Sequence, residues 1–293
     1  MGWGEFFALG SAFFWALAVI LFRRIDNALP AFELNLFKNL LGFVLIWPVL
    51  LFFEGAAMPD YSAFELLAVV LSGFLGIAVA DTWYLRALNL MGASRTGIVS
   101  SLLSPFVILL SIVFLSESLQ GWQLAGFGLV MAGILLVTWQ ANREADDPQE
   151  LRLGLFFGIG AVFLMAVGVV LVKEILEQRP FIWTTQLRLG GGVVGMLLYM
   201  ALRGHYRKVW ANFRKPLPWG LVIVGSFLGS FVSMMMWLGG YKLIPASEAS
   251  VLNQSANAWI VALAWLVLGE YIGFRKVAGL VLTTVGVLIM ILV

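Results

Sequence analysis

Apolar residues in this chain do not alternate, and they do not gather on one face of a helical repeat. They run in predominantly apolar stretches of about 20, separated by short polar links. A hydrocarbon core ~30 Å thick needs about that many residues at a helical rise of 1.5 Å, and a helix satisfies its own backbone groups in lipid. The pattern therefore predicts ten membrane helices, near residues 3–22, 31–53, 63–86, 95–115, 121–139, 153–173, 181–202, 217–239, 247–268 and 273–293. The first run is too long for a signal peptide and reads as a retained helix. Only Gln140 to Leu151 and Arg203 to Pro216 read as sizeable polar loops. The first of these is charged and lies at mid-chain. It divides the chain into a unit over 1–140, a polar linker over 141–151 and a second unit over 152–293.

The two units are related. Sliding residues 74–139 by 153 positions lays them on 227–292 without a gap, and 16 of the 66 pairs are identical. Leucine matches carry little weight in such a chain, but other matches do. Phe74-Leu75-Gly76 falls on Phe227-Leu228-Gly229, Ala93-Ser94 on Ala246-Ser247, Glu117 on Glu270, Gly126 on Gly279 and Gly133 on Gly286. The first two helices of each unit match at a shift of 150, which pairs Gly4 with Gly154, Pro30 with Pro180, Lys38 with Arg188 and Gly42 with Gly192. Five spans per unit is an odd number, so the second copy must enter the membrane from the opposite face. Inverted repeats of this kind are the architecture of secondary transporters, whose binding site lies near the midplane between the repeats.

Composition agrees with a lipid solvent: 61% of the 293 residues are hydrophobic and 12% are charged, with a mean hydropathy of +0.97. Soluble chains carry roughly 25% charged residues. With no cysteine and a single histidine, His205, the chain offers no disulfide, thiolate site or histidine cluster, so neither metal nor other cofactor is expected. A net charge of +2, with the basic residues in short loops, gives no footprint for nucleic acid. The expected partners are a small-molecule substrate and membrane lipids, for a monomer or weak homodimer.

A five-helix unit ending in Leu115-Ser116-Glu117 with Gly126 and Gly133, repeated as Leu268-Gly269-Glu270 with Gly279 and Gly286, resembles the EamA unit of the drug/metabolite transporter superfamily. The Ala-Ser opening of the fourth and ninth helices and the basic residues Lys38 and Arg188 add to the resemblance, which covers nearly the whole chain. The family often has Trp-Gly in its first helix; here Trp15 precedes Ala16, and the second copy has Met165-Ala166. The resemblance implies ten helices, alternating access and the export or exchange of small metabolites.

Candidate site residues are the polar groups placed deep in the apolar runs. Lys38 and Arg188 each lie seven residues inside a helix, about 10 Å below opposite faces. Cations at that depth cost ~2.5–3.5 kcal/mol or more, so each either snorkels to the headgroups or faces a cavity. Asp81 stands at nearly the depth of Lys38 from the same face and is positioned to pair with it, either as a silent ion pair or in proton or cation coupling. Its counterpart is Met234, which leaves Arg188 without an equivalent acid and open to a carboxylate of the solute. Glu33, nearer the surface, reads as solvated.

Gly97, Ser100, Ser101 and Ser104 share one helical face, and Ser250, Asn253, Gln254 and Asn257 share the repeat-equivalent face. Such a stripe either joins helices by hydrogen bonds or lines a wet cavity, and the clustering favours the cavity. Trp83 and Tyr84 beside Asp81, with Trp259 beside Asn257, form a candidate aromatic wall, or else pack and anchor at the interface. Glu117 and Glu270 read as caps on the free N–H groups of the next helix, Ser94 and Ser247 as N-caps, the paired glycines as helix contacts and Pro105 as a kink.

No HExxH, GxSxG or nucleotide-binding loop is present, so an enzyme is not expected. The function expected is secondary transport of a small, carboxylate-bearing organic solute across the plasma or inner membrane. The alternatives are export of cationic or lipophilic drug-like compounds and, from other classes, an intramembrane enzyme or a passive scaffold. Short loops on the face away from the N-terminus carry 13 Lys and Arg against 3 on the near face, which puts both termini outside the cytoplasm.

Overall fold

A computed structural model describes residues 2–25, 28–115, 121–144, 148–244, 249 and 252–292. All regular structure among them is helical. We number the helices α1 (Trp3–Ile25), α2 (Ala31–Phe53), α3 (Ala63–Met91), α4 (residues 93–115), α5 (Gly121–Glu144), α6 (Pro148–Gln178), α7 (Phe181–Leu202), α8 (Tyr206–Phe213), α9 (Trp219–Leu243), α10 (Ser255–Leu268) and α11 (Phe274–Leu292). Five of them, α1, α2, α3, α6 and α9, are long and apolar enough to cross a bilayer, against the ten spans expected from the hydrophobic pattern. Among the others, α4 is divided by a 3₁₀ turn at Ser100–Leu102, and α7 carries Thr184, Thr185, Gln186 and Arg188 in its first turns.

Helix contacts are reciprocal between the two halves. α1 packs against α9 and α10, as α6 packs against α3 and α4; α3 meets α7, as α9 meets α2; α5 and α11 pack on each other. The glycines seven apart make the last pairing possible. A Cβ on Gly133 would stand 2.7 Å from the Gly279 carbonyl oxygen, and one on Gly286 2.6 Å from that of Gly126. Both positions therefore exclude any larger residue, in keeping with close helix contact in lipid through small side chains.

Each copy of Phe-Leu-Gly opens a π-helical stretch, Phe74–Val79 in α3 and Phe227–Ser233 in α9. A π stretch inserts an extra residue into the turn and frees a carbonyl, a local distortion common at functional sites. In α3 the freed groups are met by α2: Asn35 Nδ2 donates to the Ile77 carbonyl at 2.7 Å and to Thr82 Oγ1 at 2.9 Å. Asn39 Nδ2 in turn donates to Asn35 Oδ1 at 2.7 Å. These bonds fix the register at which Asp81 leaves the distorted turn.

Several local expectations are corrected. The polar stretch Gln140 to Leu151 is mostly helix: α5 continues to Glu144 and α6 starts at Pro148, because Glu, Gln and Arg are good helix formers and Pro suits a first turn. The stretch from Arg203 to Pro216 contains the short helix α8. Glu33 is buried rather than solvated, since α8 covers it and Asn212 Nδ2 donates to its Oε1 at 2.7 Å. Glu270 does not cap the next helix. It accepts from the backbone N–H groups of Ala93 and Ser94 at 2.8 and 3.1 Å and from Ser94 Oγ at 2.6 Å, so it caps α4 in the other half. Ser94 is thus a donor to that carboxylate and not an N-cap. Pro105 cannot donate to the carbonyl four residues back, and the turn just before it is the 3₁₀ segment Ser100–Leu102. Glu117 and Ser247 lie outside the described residues.

Candidate functional site

Between the helices lies a partly open cavity of about 160 Å³, to which both halves contribute. Three charged side chains line it: Lys38 from α2, Asp81 from α3 and Arg188 from α7. Lys38 and Asp81 are both buried, and Lys38 Nζ donates to Asp81 Oδ2 at 2.5 Å, so the charge each carries is answered within the protein. Lys38 also lies 3.4 Å from Asn39 Oδ1, which receives Ser230 Oγ of α9 at 3.3 Å. The pair is therefore tied to both halves.

Arg188 is in a different condition. The residue is 4% exposed, and its Nε and Nη1 have no hydrogen-bond partner among the described residues. The guanidinium lies over the ring of Trp237 with its carbon 5.4 Å from the ring centroid, a cation–π contact that supports the charge without using its N–H groups. Room for it is made by two glycines: a Cβ on Gly76 would stand 3.0 Å, and one on Gly168 3.5 Å, from Nη2. A buried guanidinium with free donors is costly, and an anionic group of a solute is the chemical complement it lacks. Closer to the surface, Arg179 donates from Nε and Nη2 to the two oxygens of Glu65 at 2.6 and 2.8 Å, bonds that raise its pKa above the ordinary arginine value.

The polar stripe divides its work. Asn253, Gln254 and Asn257 line the cavity, while Ser101 and Ser104 stand behind them. Asn257 Nδ2 donates to Ser101 Oγ and Gln254 Nε2 to Ser104 Oγ, both at 2.9 Å. A shift of 153 turns one of these contacts into the other, so α4 and α10 meet through a self-complementary polar joint. Ser250 lies outside the described residues.

Of the candidate aromatics, Tyr84 lines the cavity, buried with its ring 5.6 Å from that of Trp15. Trp83 turns away and packs on Phe157 and Phe156, with centroids 5.6 and 5.9 Å distant. Trp259 also points elsewhere, edge-on to Phe13 at 5.3 Å and 45% exposed. Sequence reasoning misses Trp237 and Tyr241, which line the cavity, and Ser11, whose Oγ donates to Asn253 Oδ1 at 2.6 Å. A signal for Trp237 is present: the 153-residue shift that carries Asp81 to Met234 carries Tyr84 to Trp237. For Asn35 and Asn39 it is their spacing, together with Lys38, which puts polar groups at i, i+3 and i+4 on one face of an apolar helix.

Long apolar helices around a central cavity that holds a few charged and amide side chains define an integral membrane protein suited to a small solute. The model of the EamA-like transporter family matches the chain twice, over residues 2–139 and 152–292, and the protein belongs to that family. It is 24% identical to a WAT1-related protein of Arabidopsis thaliana over 281 residues, covering 88% of this chain and 76% of that one. It is 23% identical to protein LicB of Haemophilus influenzae, covering 90% and 88% of the two chains. An uncharacterized transporter of Archaeoglobus fulgidus is 24% identical and spans 97% of this chain and 96% of its own. A solved crystal structure that is 17% identical superposes over 99% of this chain and 96% of its own with a TM-score of 0.69, a likeness of fold.

Proposed function

We propose that this protein is a secondary transporter that exports or exchanges a small organic metabolite, amino-acid-like or another carboxylate-bearing solute. Two inverted five-helix repeats, ten membrane helices in all, rock about the central cavity in the plasma or inner membrane, with both termini on the non-cytoplasmic side. The reading rests on one observation: Arg188 lines the cavity, and its buried Nε and Nη1 have no hydrogen-bond acceptor among the described residues. The carboxylate of Asp81 is already engaged by Lys38, so the described cavity wall holds one cation in excess and favours an anionic group over a cationic drug.

Around that contact the wall is differentiated. The amides of Asn253, Gln254 and Asn257 suit hydrogen-bonding groups, and Trp15, Tyr84, Met165 and Trp237 suit a carbon skeleton. Alternating access is supported by the reciprocal packing of α1 on α9 and of α6 on α3, an arrangement that can exchange one set of contacts for its equivalent. The test is uptake into proteoliposomes of carboxylic solutes against their amides. The proposal requires transport of a carboxylate that falls to the protein-free level in Arg188→Ala, with that variant still folded. Undiminished carboxylate transport by the variant overturns it.

A further inference from the structure

We infer that α8 and its flanking residues form a binding surface for the anionic headgroups of the bilayer in which the protein sits. Between Arg203 and Pro216 the chain carries Arg203, Arg207, Lys208, Arg214 and Lys215 and no acidic residue. The eight-residue helix is moored on its inner side, where Val209 and Asn212 are buried and Asn212 binds Glu33 in the first turn of α2. Phe213 stacks on Trp219 at the start of α9, with centroids 6.3 Å apart. Since α2 and α9 both have the length and apolarity of membrane helices, moorings at their first turns place α8 at the level where hydrocarbon gives way to headgroups.

The outward side is neither apolar nor merely charged. Tyr206 and Trp210, one turn apart, are 54% and 61% exposed. Arg207 lies over the Tyr206 ring at 5.8 Å and Arg214 over the Trp210 ring at 5.4 Å. Exposed Trp and Tyr are the side chains that settle at the membrane interface, and cations beside them meet phosphate at the same depth. Rings that hold guanidinium groups at that level, with no carboxylate in the segment to neutralise them, make a surface complementary to an anionic phospholipid. This inference is independent of the nature of the transported solute.

The experiment compares purified protein in mixed micelles containing phosphatidylglycerol, phosphatidylcholine or free inorganic phosphate. It uses the unsubstituted chain and a variant combining Arg207→Gln, Lys208→Gln, Arg214→Gln and Lys215→Gln. Phosphatidylglycerol is expected to raise the melting temperature of the unsubstituted chain above its value in phosphatidylcholine. The variant should lose most of that difference, with a fall of roughly five-fold or more in its preference for the anionic lipid. An equal response in both proteins, or an equal shift with free phosphate, overturns the inference.

A second measurement keeps all the cations in place, so it stands even where the variant does not fold. In this cysteine-free chain a fluorophore at Ala211→Cys should be quenched more by headgroup-spin-labelled phosphatidylglycerol than by the matching phosphatidylcholine. Equal quenching by the two lipids also overturns it.

Discussion

Trp237 supports the charge of Arg188 from one side, its ring 5.4 Å from the guanidinium carbon, and leaves Nε and Nη1 of that arginine with nothing to bind among the described residues. The repeat-equivalent pair is arranged otherwise. Lys38, the counterpart of Arg188, is held by Asp81, and Tyr84, the counterpart of Trp237, packs on Trp15. A duplicated framework has thus become asymmetric at its centre. One half answers its own cation, and the other presents a cation to the cavity.

The Lys38–Asp81 pair predicts a specific pattern of coupling. Removing one partner from a buried pair leaves the other uncompensated, at a cost of about 3–5 kcal/mol. Asp81→Asn and Lys38→Met should therefore each lower thermal stability and transport, and the double variant should lose less than the sum of the two. Thermal melts of the four proteins read the outcome. Additive losses would show that the two side chains do not act on each other.

The cavity wall can be mapped by thiol chemistry, because the chain has no native cysteine. Asn253→Cys and Asn257→Cys should react with a water-soluble maleimide, since both positions line the cavity. Thr283→Cys, fully buried in α11, should stay unlabelled in the folded protein. Protection at both asparagine positions would assign them to a dry helix contact.

Glu270 predicts a structural effect separable from transport chemistry. Its carboxylate accepts from the first N–H groups of α4, and loss of such a cap typically costs about 0.5–2 kcal/mol. Glu270→Ala should lower the melting temperature by a few degrees while leaving the preference between carboxylate and amide solutes unchanged. A changed preference would move Glu270 from the scaffold to the site.

The loops carry a prediction about orientation. The excess of Lys and Arg on the face opposite the N-terminus, 13 against 3, predicts both termini outside the cytoplasm. A C-terminal alkaline phosphatase fusion should be active and a green fluorescent fusion dark. The reverse result would place α8 outside.

Much of this arrangement is legible in the residues, and the parts that are not share a cause. The offset of 153 marks both π turns through their Phe-Leu-Gly copies, and depth alone brings Lys38 to Asp81. Helix-face assignments are less secure, because a helix that is apolar all round has no polar side to show which way it is turned. Trp83 and Tyr84 therefore look like partners in the sequence, although adjacent residues on a helix diverge by about 100°. The same ambiguity hides Trp237 and Ser11. The α8 segment reads as a loop because its cations mask two helical turns, and the burial of Glu33 beneath it depends on a tertiary contact with Asn212 that no local pattern encodes.

Reception of an anionic solute group by Arg188 is tested most directly, and without a transport assay, by ligand-induced stabilisation. Purified protein and Arg188→Gln are melted against matched pairs of organic acids and their amides. A ligand present at 100 times its dissociation constant should stabilise its target by about 2.7 kcal/mol. Stabilising compounds should be acids, their amides should be weaker, and the advantage of the acid should disappear in Arg188→Gln. Acids that stabilise both proteins equally, or hits that are cations, would contradict this role of Arg188.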